Sequence, residues 1–322
     1  MKKLQYFVLF IFLGSLLWFS LDRLDQKNAD SLNTAFSDTS EYWYPPRLTK
    51  LDSSELSKQI YYGLELIQHT SRYFGPRGTI SATSNGMNCQ SCHLDGGTKI
   101  WGNNYGDVFS KFPKYRDRSG QKESISSRVN DCFERSLNGD AIDTTGKEMN
   151  AIVAYISWLG ANVSKEHKAK GSGITKLEFL DRAADPIKGK TIYLEKCKSC
   201  HAANGEGLMN ADQTEYTYPP LWGENSYNTK AGLYRLSRLA GYVKSNMPNG
   251  SSFAFPLISD EDAWDVAAYI NTQPRPSKEF PQDWPNIAKK PIDHPFGPFA
   301  DNFSELQHKL GPFKPIVKSK KK

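Results

Sequence analysis

Two short segments constrain this chain more than any other feature: Cys89-Gln-Ser-Cys92-His93 and Cys197-Lys-Ser-Cys200-His201. Each reads C-x-x-C-H, the attachment signature of a c-type haem. Two thiols three positions apart on a helical turn reach the two vinyl groups of one haem. The adjacent histidine then lies beneath the iron as proximal ligand. One copy alone also fits a zinc or redox C-x-x-C; two copies in an exported chain point to two covalently bound haem c groups. Cys89, Cys92 and His93 would hold the first haem, and Cys197, Cys200 and His201 the second. The fold must therefore be one that uses a haem as part of each core, and the functional question becomes what binds the sixth position of each iron.

The start of the chain carries the export signal. Met1-Lys2-Lys3 is basic, and Leu4 to Leu21 contains no charge. At the helical rise this stretch spans about 27 Å, enough for a short or tilted membrane anchor. No small-x-small cleavage site follows it, because Trp18-Phe19-Ser20-Leu21 is bulky. Residues 1–21 are thus a signal peptide or a membrane anchor, and either places the rest of the chain in the periplasm, where c-type haem is attached. Residues 22–50 are polar and include a Pro pair, the composition of a tether. A formal net charge of +6 is concentrated partly in the tail Lys318-Ser319-Lys320-Lys321-Lys322, and no basic face of the kind nucleic-acid binding requires is visible. Of five cysteines, four are committed to haem and Cys132 is left over.

Helical periodicity organises the remainder. Asp52-Ser-Ser-Glu55 opens a helix with Leu56, Ile60, Leu64 and Ile67 on one face. Residues 94–123 read mostly as loop. Ser124–Leu137 and Lys147–Leu159 read as helices, with Ile125, Val129 and Phe133 inward in the first and Met149, Ile152, Val153 and Ile156 in the second. The second half repeats the scheme: a helical approach to Cys197, a Gly- and Pro-rich loop, a helix over Ala231–Val243, a turn at Asn246-Met-Pro-Asn-Gly250, and a helix from Asp260 to Asn271. Ala-Ile-Val-Ala-Tyr155-Ile-Ser mirrors Asp-Val-Ala-Ala-Tyr269-Ile-Asn at nearly the same interval from each haem histidine. Each unit resembles a class I cytochrome c domain. The expected fold is all-α, with two tandem domains over 51–163 and 185–273. A linker over 164–184 would join them, and an extended arm over 274–322 would lie across both.

The sixth ligands separate the two halves. Met247 lies in the turn where such a domain supplies a methionine, and thioether ligation suits a relay haem. Met209 is close behind His201, and Lys244 is near enough to compete. In the first half no methionine occupies the equivalent place; Cys132 is there instead. It reads either as a buried core cysteine beside Val129 and Phe133 or as a thiolate ligand. Arg128, Cys132 and Ser136 fall on one helical stripe, and Arg116 and Arg118 come shortly before. A cationic setting would lower a thiol pKa and attract a small anion, whereas the plain alternative is surface charge. His69 and His167 are alternative ligands for the first haem that read as surface or linker histidines.

The segment Arg128-Val-Asn-Asp-Cys132-Phe-Glu-Arg-Ser136-Leu-Asn-Gly139 resembles the haem-ligand cysteine segment of the diheme thiosulfate dehydrogenases. Tyr218-Pro-Pro-Leu-Trp-Gly223, Lys244-Ser-Asn-Met247-Pro248 and Trp264-Asp-Val-Ala-Ala-Tyr-Ile-Asn271 extend the likeness. The resemblance implies interconversion of two thiosulfates with tetrathionate and two electrons. It implies a catalytic haem ligated by His93 and Cys132, anion binding by Arg118, Arg128 and Ser136, and a second haem ligated by His201 and Met247 that serves an external carrier such as a small cytochrome c. Some members place lysine immediately before the methionine; here Asn246 stands there, which removes a ligand swap through that neighbour and leaves the direction of the reaction open. A covalent Cys-S-sulfonate intermediate on Cys132 fits the chemistry. The competing readings are a non-catalytic tandem electron carrier, with methionine expected on both irons, and a sulfur-carrying subunit of a larger complex.

Overall fold

The computed structural model describes residues 42–320. The expectations for residues 1–21 and for most of the tether lie outside the described residues. From Trp43 onward the chain clusters as one compact unit.

Within that unit the repeat is visible as two helix crossings. Helix α1, Glu55–Gln68, starts where Ser54 accepts from the Ser57 amide at 3.3 Å, and Asp52 braces the cap by accepting from the Ser57 hydroxyl at 2.7 Å. It packs across α3, Lys147–Leu159, while α2, Ile125–Arg135, is capped by Ser124. In the second half α4, Pro186–Lys196, begins at Asp185, whose carboxylate accepts from the amides of Ile187 and Lys188. Helix α5 covers Leu236–Asn246, and α6 covers Asp260–Thr272 behind the Ser259 cap. Helix α4 packs across α6 as α1 does across α3.

Each crossing is made at a glycine. A Cβ on Gly63 would lie 2.1 Å from the Ala151 carbonyl oxygen and 2.8 Å from Tyr155 Cβ. A Cβ on Gly189 would lie 1.9 Å from the Asp265 oxygen and 2.9 Å from Tyr269 Cβ. The tyrosines that mark the sequence repeat therefore sit at the same packing point in both halves. Around the first crossing Ile60, Leu66, Ile67, Phe133, Met149 and Ile152 form one core; around the second, Tyr193, Leu236, Leu239, Trp264 and Val266 form another.

Several expectations are amended. Leu56 is 60% exposed, and the buried stripe of α1 is Ser57, Ile60, Gly63, Leu66 and Ile67, so Leu56 falls off the packed face. The helix expected over Ala231–Val243 is a 3₁₀ turn, Gly232–Tyr234, followed by α5. Three small antiparallel ladders interrupt the helices: β1 (Gly102–Asn104) with β4 (Gly173–Ile174), β2 (Lys114–Arg116) with β3 (Gln121–Glu123), and β5 (Leu208–Met209) with β6 (Tyr216–Tyr218). The linker is not a free tether in its middle. Ile174 is buried, and the Gly171 carbonyl accepts from Trp101 N at 2.8 Å and from Asn104 Nδ2 at 2.8 Å. The C-terminal arm is extended only at first. Its end forms two short helices, Glu305–Leu310 and Lys314–Ser319, which set Phe313 and Ile316 into the second core.

Valine at either crossing glycine must push a backbone carbonyl aside. Gly63→Val and Gly189→Val are each expected to cost about 3 kcal/mol or more, read from the midpoint of denaturant unfolding. Gly232→Ala, whose Cβ would meet nothing within 4 Å, is expected to move the midpoint by less than about 1 kcal/mol.

Candidate functional site: two haem cavities with a common wall

Each C-x-x-C-H motif opens into its own cavity. The first, of about 400 Å³, is lined by Cys89, Cys92 and His93 on one side and by Cys132, Arg128 and Ser136 on another. Burial pushes the Cys89 and Cys92 thiols up to about 12, so as free side chains they would be neutral apolar groups. His93 Nδ1 donates to the Asn103 carbonyl at 2.5 Å, and Tyr105 stacks on its ring at 4.5 Å between centroids. Gly97 permits that stack, since a Cβ there would fall 2.1 Å from the Tyr105 ring. With Nδ1 committed as a donor, Nε2 is left as the basic nitrogen, the arrangement that fixes an imidazole for metal ligation. Burial above all, with the Arg128 and Arg238 charges adding to it, lowers the His93 pKa to about 4, which keeps the ring neutral and ligand-ready.

The second cavity, of about 460 Å³, is lined by Cys197, Cys200, His201 and Met247. His201 Nδ1 donates to the Pro219 carbonyl at 2.8 Å, repeating the device of the first half. Met247 caps the C-terminus of α5, its amide donating to the Val243 carbonyl at 2.8 Å while its own carbonyl accepts from the Ser251 hydroxyl at 3.0 Å. Neither rival ligand lines this cavity. Lys244 turns away to the Ile258 carbonyl at 2.8 Å and Asp260 at 2.7 Å, and Met209 lies in the β5–β6 ladder.

In each cavity two thiols, an oriented imidazole and a further sulfur donor converge. That donor set fits haem c, with His93 and Cys132 available to one iron and His201 and Met247 to the other. Zinc is the poorer fit: among the described residues no three His, Cys, Asp or Glu side chains form a metal-binding group.

The cationic setting around Cys132 is present, but its membership differs from the expectation. Arg128 lines the cavity, and the adjacent Cys132 sulfur, above all, raises its pKa, the signature of a guanidinium beside a potential thiolate. Arg116 also lines the cavity. Arg118 does not. It is tucked beneath Trp284 with its Nη1 donating to the Lys230 carbonyl at 3.2 Å, and burial lowers its pKa to about 10. Arg238, from α5 of the other half, occupies the cavity wall instead. Sequence reasoning missed Arg238 and Tyr105; nothing in their local pattern shows that they reach the first haem motif. His69 binds Glu215 at 3.0 Å, and His167 is exposed, so neither faces the first cavity.

The two cavities adjoin. Asn88, just ahead of the first motif, lines both, and Gln90 and Ser91 from inside that motif line the second. Tyr242 of α5 donates to the Ser91 carbonyl at 3.2 Å, and Asn246 donates to the Trp101 carbonyl at 3.1 Å.

This architecture defines a diheme c-type cytochrome with two covalently bound haem c groups. Residues 187–274 match the family described as cytochrome c, and residues 80–164 match the SoxA/TsdA cytochrome c domain. A thiosulfate dehydrogenase of Psychrobacter arcticus is 36% identical over 75% of this chain and 71% of its own. One from Allochromatium vinosum is 37% identical over 72% of this chain and 83% of its own. Among solved structures, thiosulfate dehydrogenase (TsdBA) from Marichromatium purpuratum in its as-isolated form superposes with a TM-score of 0.66 at 30% identity, covering 72% of this chain. The chain spans 49% of that longer one. The chain belongs to the thiosulfate dehydrogenase family, and is an oxidoreductase of the cytochrome c type.

Because Lys244 is held outside the second cavity, Lys244→Ala is expected to preserve the long-wavelength absorption band of methionine-ligated ferric haem. Met247→Ala is expected to abolish it. Near-infrared spectra of the oxidised protein check both.

Proposed function

We propose that the chain interconverts thiosulfate and tetrathionate at the first haem site, with electrons passing through the second to a separate carrier. The observation that carries this reading is the placement of Cys132. Its sulfur shares one cavity with the first haem motif, beside Arg128 and with Arg116 and Ser136 in the wall. A carrier of electrons alone needs neither a nucleophile nor an anion-binding wall there.

The residues supply the chemistry in order. Arg128 and Arg116 offset the repulsion that opposes joining two dianions; each pair of unit charges about 4 Å apart repels by roughly 4 kcal/mol at an effective dielectric of about 20. Guanidinium groups also present forked donors matched to sulfonate oxygens. The Cys132 thiolate forms a bond to the sulfane sulfur of thiosulfate, giving Cys132–S–S–SO₃⁻, and the two electrons released are what a pair of one-electron haem acceptors takes up. The sulfane sulfur of a second thiosulfate then attacks that of the adduct. Tetrathionate forms as the Cys132–sulfur bond breaks, and Cys132 leaves as thiolate. The reverse begins with Cys132 attacking tetrathionate and displacing thiosulfate, so the same residues serve both directions.

His201 and Met247 hold the relay haem. Exposed Lys188, Lys190, Lys196 and Lys198 beside the second motif favour an acidic electron-carrier protein such as a small cytochrome c. The reading places the protein in the periplasm, by the uncharged segment Leu4 to Leu21 and the site of haem attachment.

Cys132→Met is expected to abolish tetrathionate formation while both haems remain attached and chemically reducible. Steady-state turnover with an artificial acceptor and haem-resolved reduction by dithionite measure the two properties. Retained turnover would leave the tandem electron carrier as the better reading.

A further inference from the structure

The arginines around the first cavity differ in what they hold. Arg116 lies 3.7 Å from Glu123, and Arg128 lies 3.3 Å from Asp131. Arg135 binds Asp131 and Asp283. On α5 itself, Arg235 binds Asp293 at 2.5 Å, and that carboxylate is completed by the Ser237 amide and hydroxyl. One turn on, the Arg238 guanidinium makes no hydrogen bond or ion pair to any described residue, although the residue is half-buried and lines the cavity that holds His93 and Cys132. Burial and the neighbouring Arg235 hold its pKa down to about 10, which still leaves it charged at neutral pH. Asp293 acts on it only from a distance, its carboxylate being held by Arg235 and Ser237. A charged guanidinium partly withdrawn from water with no carboxylate in contact is costly, and a site that keeps one is suited to receive an anion.

We propose that Arg238, projecting from the second cytochrome domain, binds a sulfonate group of thiosulfate or tetrathionate in the first haem cavity, so that the catalytic pocket is completed across the domain boundary. The inference rests on the reading of the Cys132 cavity as the catalytic one. It adds a structural link, because Arg238 lies in the first turn of the helix that Met247 terminates. The anion at one haem and the ligand of the other are thereby attached to a single rigid element. The rival anion is a carboxylate of the first haem, and the test separates the two.

The haem-loaded full chain and its Arg238→Gln and Arg238→Lys variants are titrated with thiosulfate while the first haem's spectrum is followed. The midpoint potential of that haem and the steady-state constants are measured alongside. Loss of one charge-assisted, forked contact is expected to raise the thiosulfate and tetrathionate KM about ten- to hundredfold in Arg238→Gln, with the midpoint potential of the first haem unchanged. Arg238→Lys, which keeps the charge but not the fork, is expected to recover part of the affinity. If Arg238→Gln fails to load haem, weaker thiosulfate binding by Arg238→Lys at unchanged potential carries the same conclusion. Unchanged affinity in both variants overturns the proposal, and so does a shifted haem potential with unchanged affinity, which assigns Arg238 to the haem carboxylate. If thiosulfate leaves the first haem of the wild-type protein spectrally untouched, it is the catalytic reading of the cavity that fails.

Discussion

The contact on which the rest of the molecule depends is the hydrogen bond from Tyr242 to the Ser91 carbonyl at 3.2 Å. Ser91 lies between the two cysteines of the first haem motif, and Tyr242 lies on the helix that Met247 ends. The attachment loop of one haem is therefore also the wall of the other cavity. In the proposed reaction two electrons are released and each haem would accept one, so the reaction would need electrons to pass between the two sites. A shared wall suits that need by bringing the two cavities together. The wall is made rigid by Glu215, a buried carboxylate from the second half. It accepts from Asn88 at 3.2 Å and lies 3.0 Å from both His69 and Arg72 of the first half. A buried carboxylate satisfied only by residues across an interface opposes separation, because parting the halves would strip its partners.

Electrostatics divides into neutralised and unneutralised zones. Outside the first cavity Arg72, Arg182, Arg235 and Arg135 are matched by carboxylates, most fully Arg135. Its guanidinium grips Asp283 at 2.8 and 2.9 Å and lies 3.7 Å from the Phe280 ring centroid. That pair fastens the C-terminal arm to α2, the helix that carries Cys132. The same arm places Trp284 against Arg118, and its amide donates to the Arg118 carbonyl at 2.6 Å. The arm thus holds Arg118 away from the pocket and stiffens the helix that carries Cys132. Inside the cavity the balance is reversed: Arg116, Arg128 and Arg238 face it and carboxylates brace only the first two, which suits a pocket whose cargo is anionic.

What the sequence made legible followed from local chemistry. The C-x-x-C-H spacing, the serine caps of α1, α2 and α6, and the Cys132 stripe each depend on residues a turn or two apart. The internal repeat extended further, since Tyr155 and Tyr269 occupy equivalent packing points. The rest depends on contacts between distant segments. Arg238 could not be placed because its cavity is built by the other half of the chain. Arg118 lies outside the cavity wall because the residue that packs on it, Trp284, comes from the arm, which its local sequence does not reveal. The arm itself looked featureless because Phe313 and Ile316 anchor it by filling a core, not by any periodic pattern. Ser172 and Ile174 were hidden in a stretch whose glycines and lysines suggest a free linker.

The halves share a scaffold yet place the sulfurs that would serve as ligands on different kinds of backbone, and this matches the work proposed for each. Met247 follows the last turn of α5 in extended conformation, at φ −131° and ψ 149°. A long, flexible thioether there could keep hold of a haem iron through small shifts of the turn. Cys132 sits inside α2, and its carbonyl accepts from the Ser136 and Leu137 amides at 2.8 and 2.9 Å. Its backbone is fixed, and a cysteine side chain has one rotatable bond before sulfur. If the sulfur must leave the iron to carry a sulfonate-bearing adduct, rotation about that bond is the movement the helix leaves free, and Arg128, one turn earlier, remains beside it throughout. A methionine on a turn would hold an iron well but could not form the adduct. A cysteine on a mobile turn could form it but would let it swing away from the guanidinium groups. Placing the nucleophile on a helix pinned by Arg135 and Asp283 reconciles the two demands.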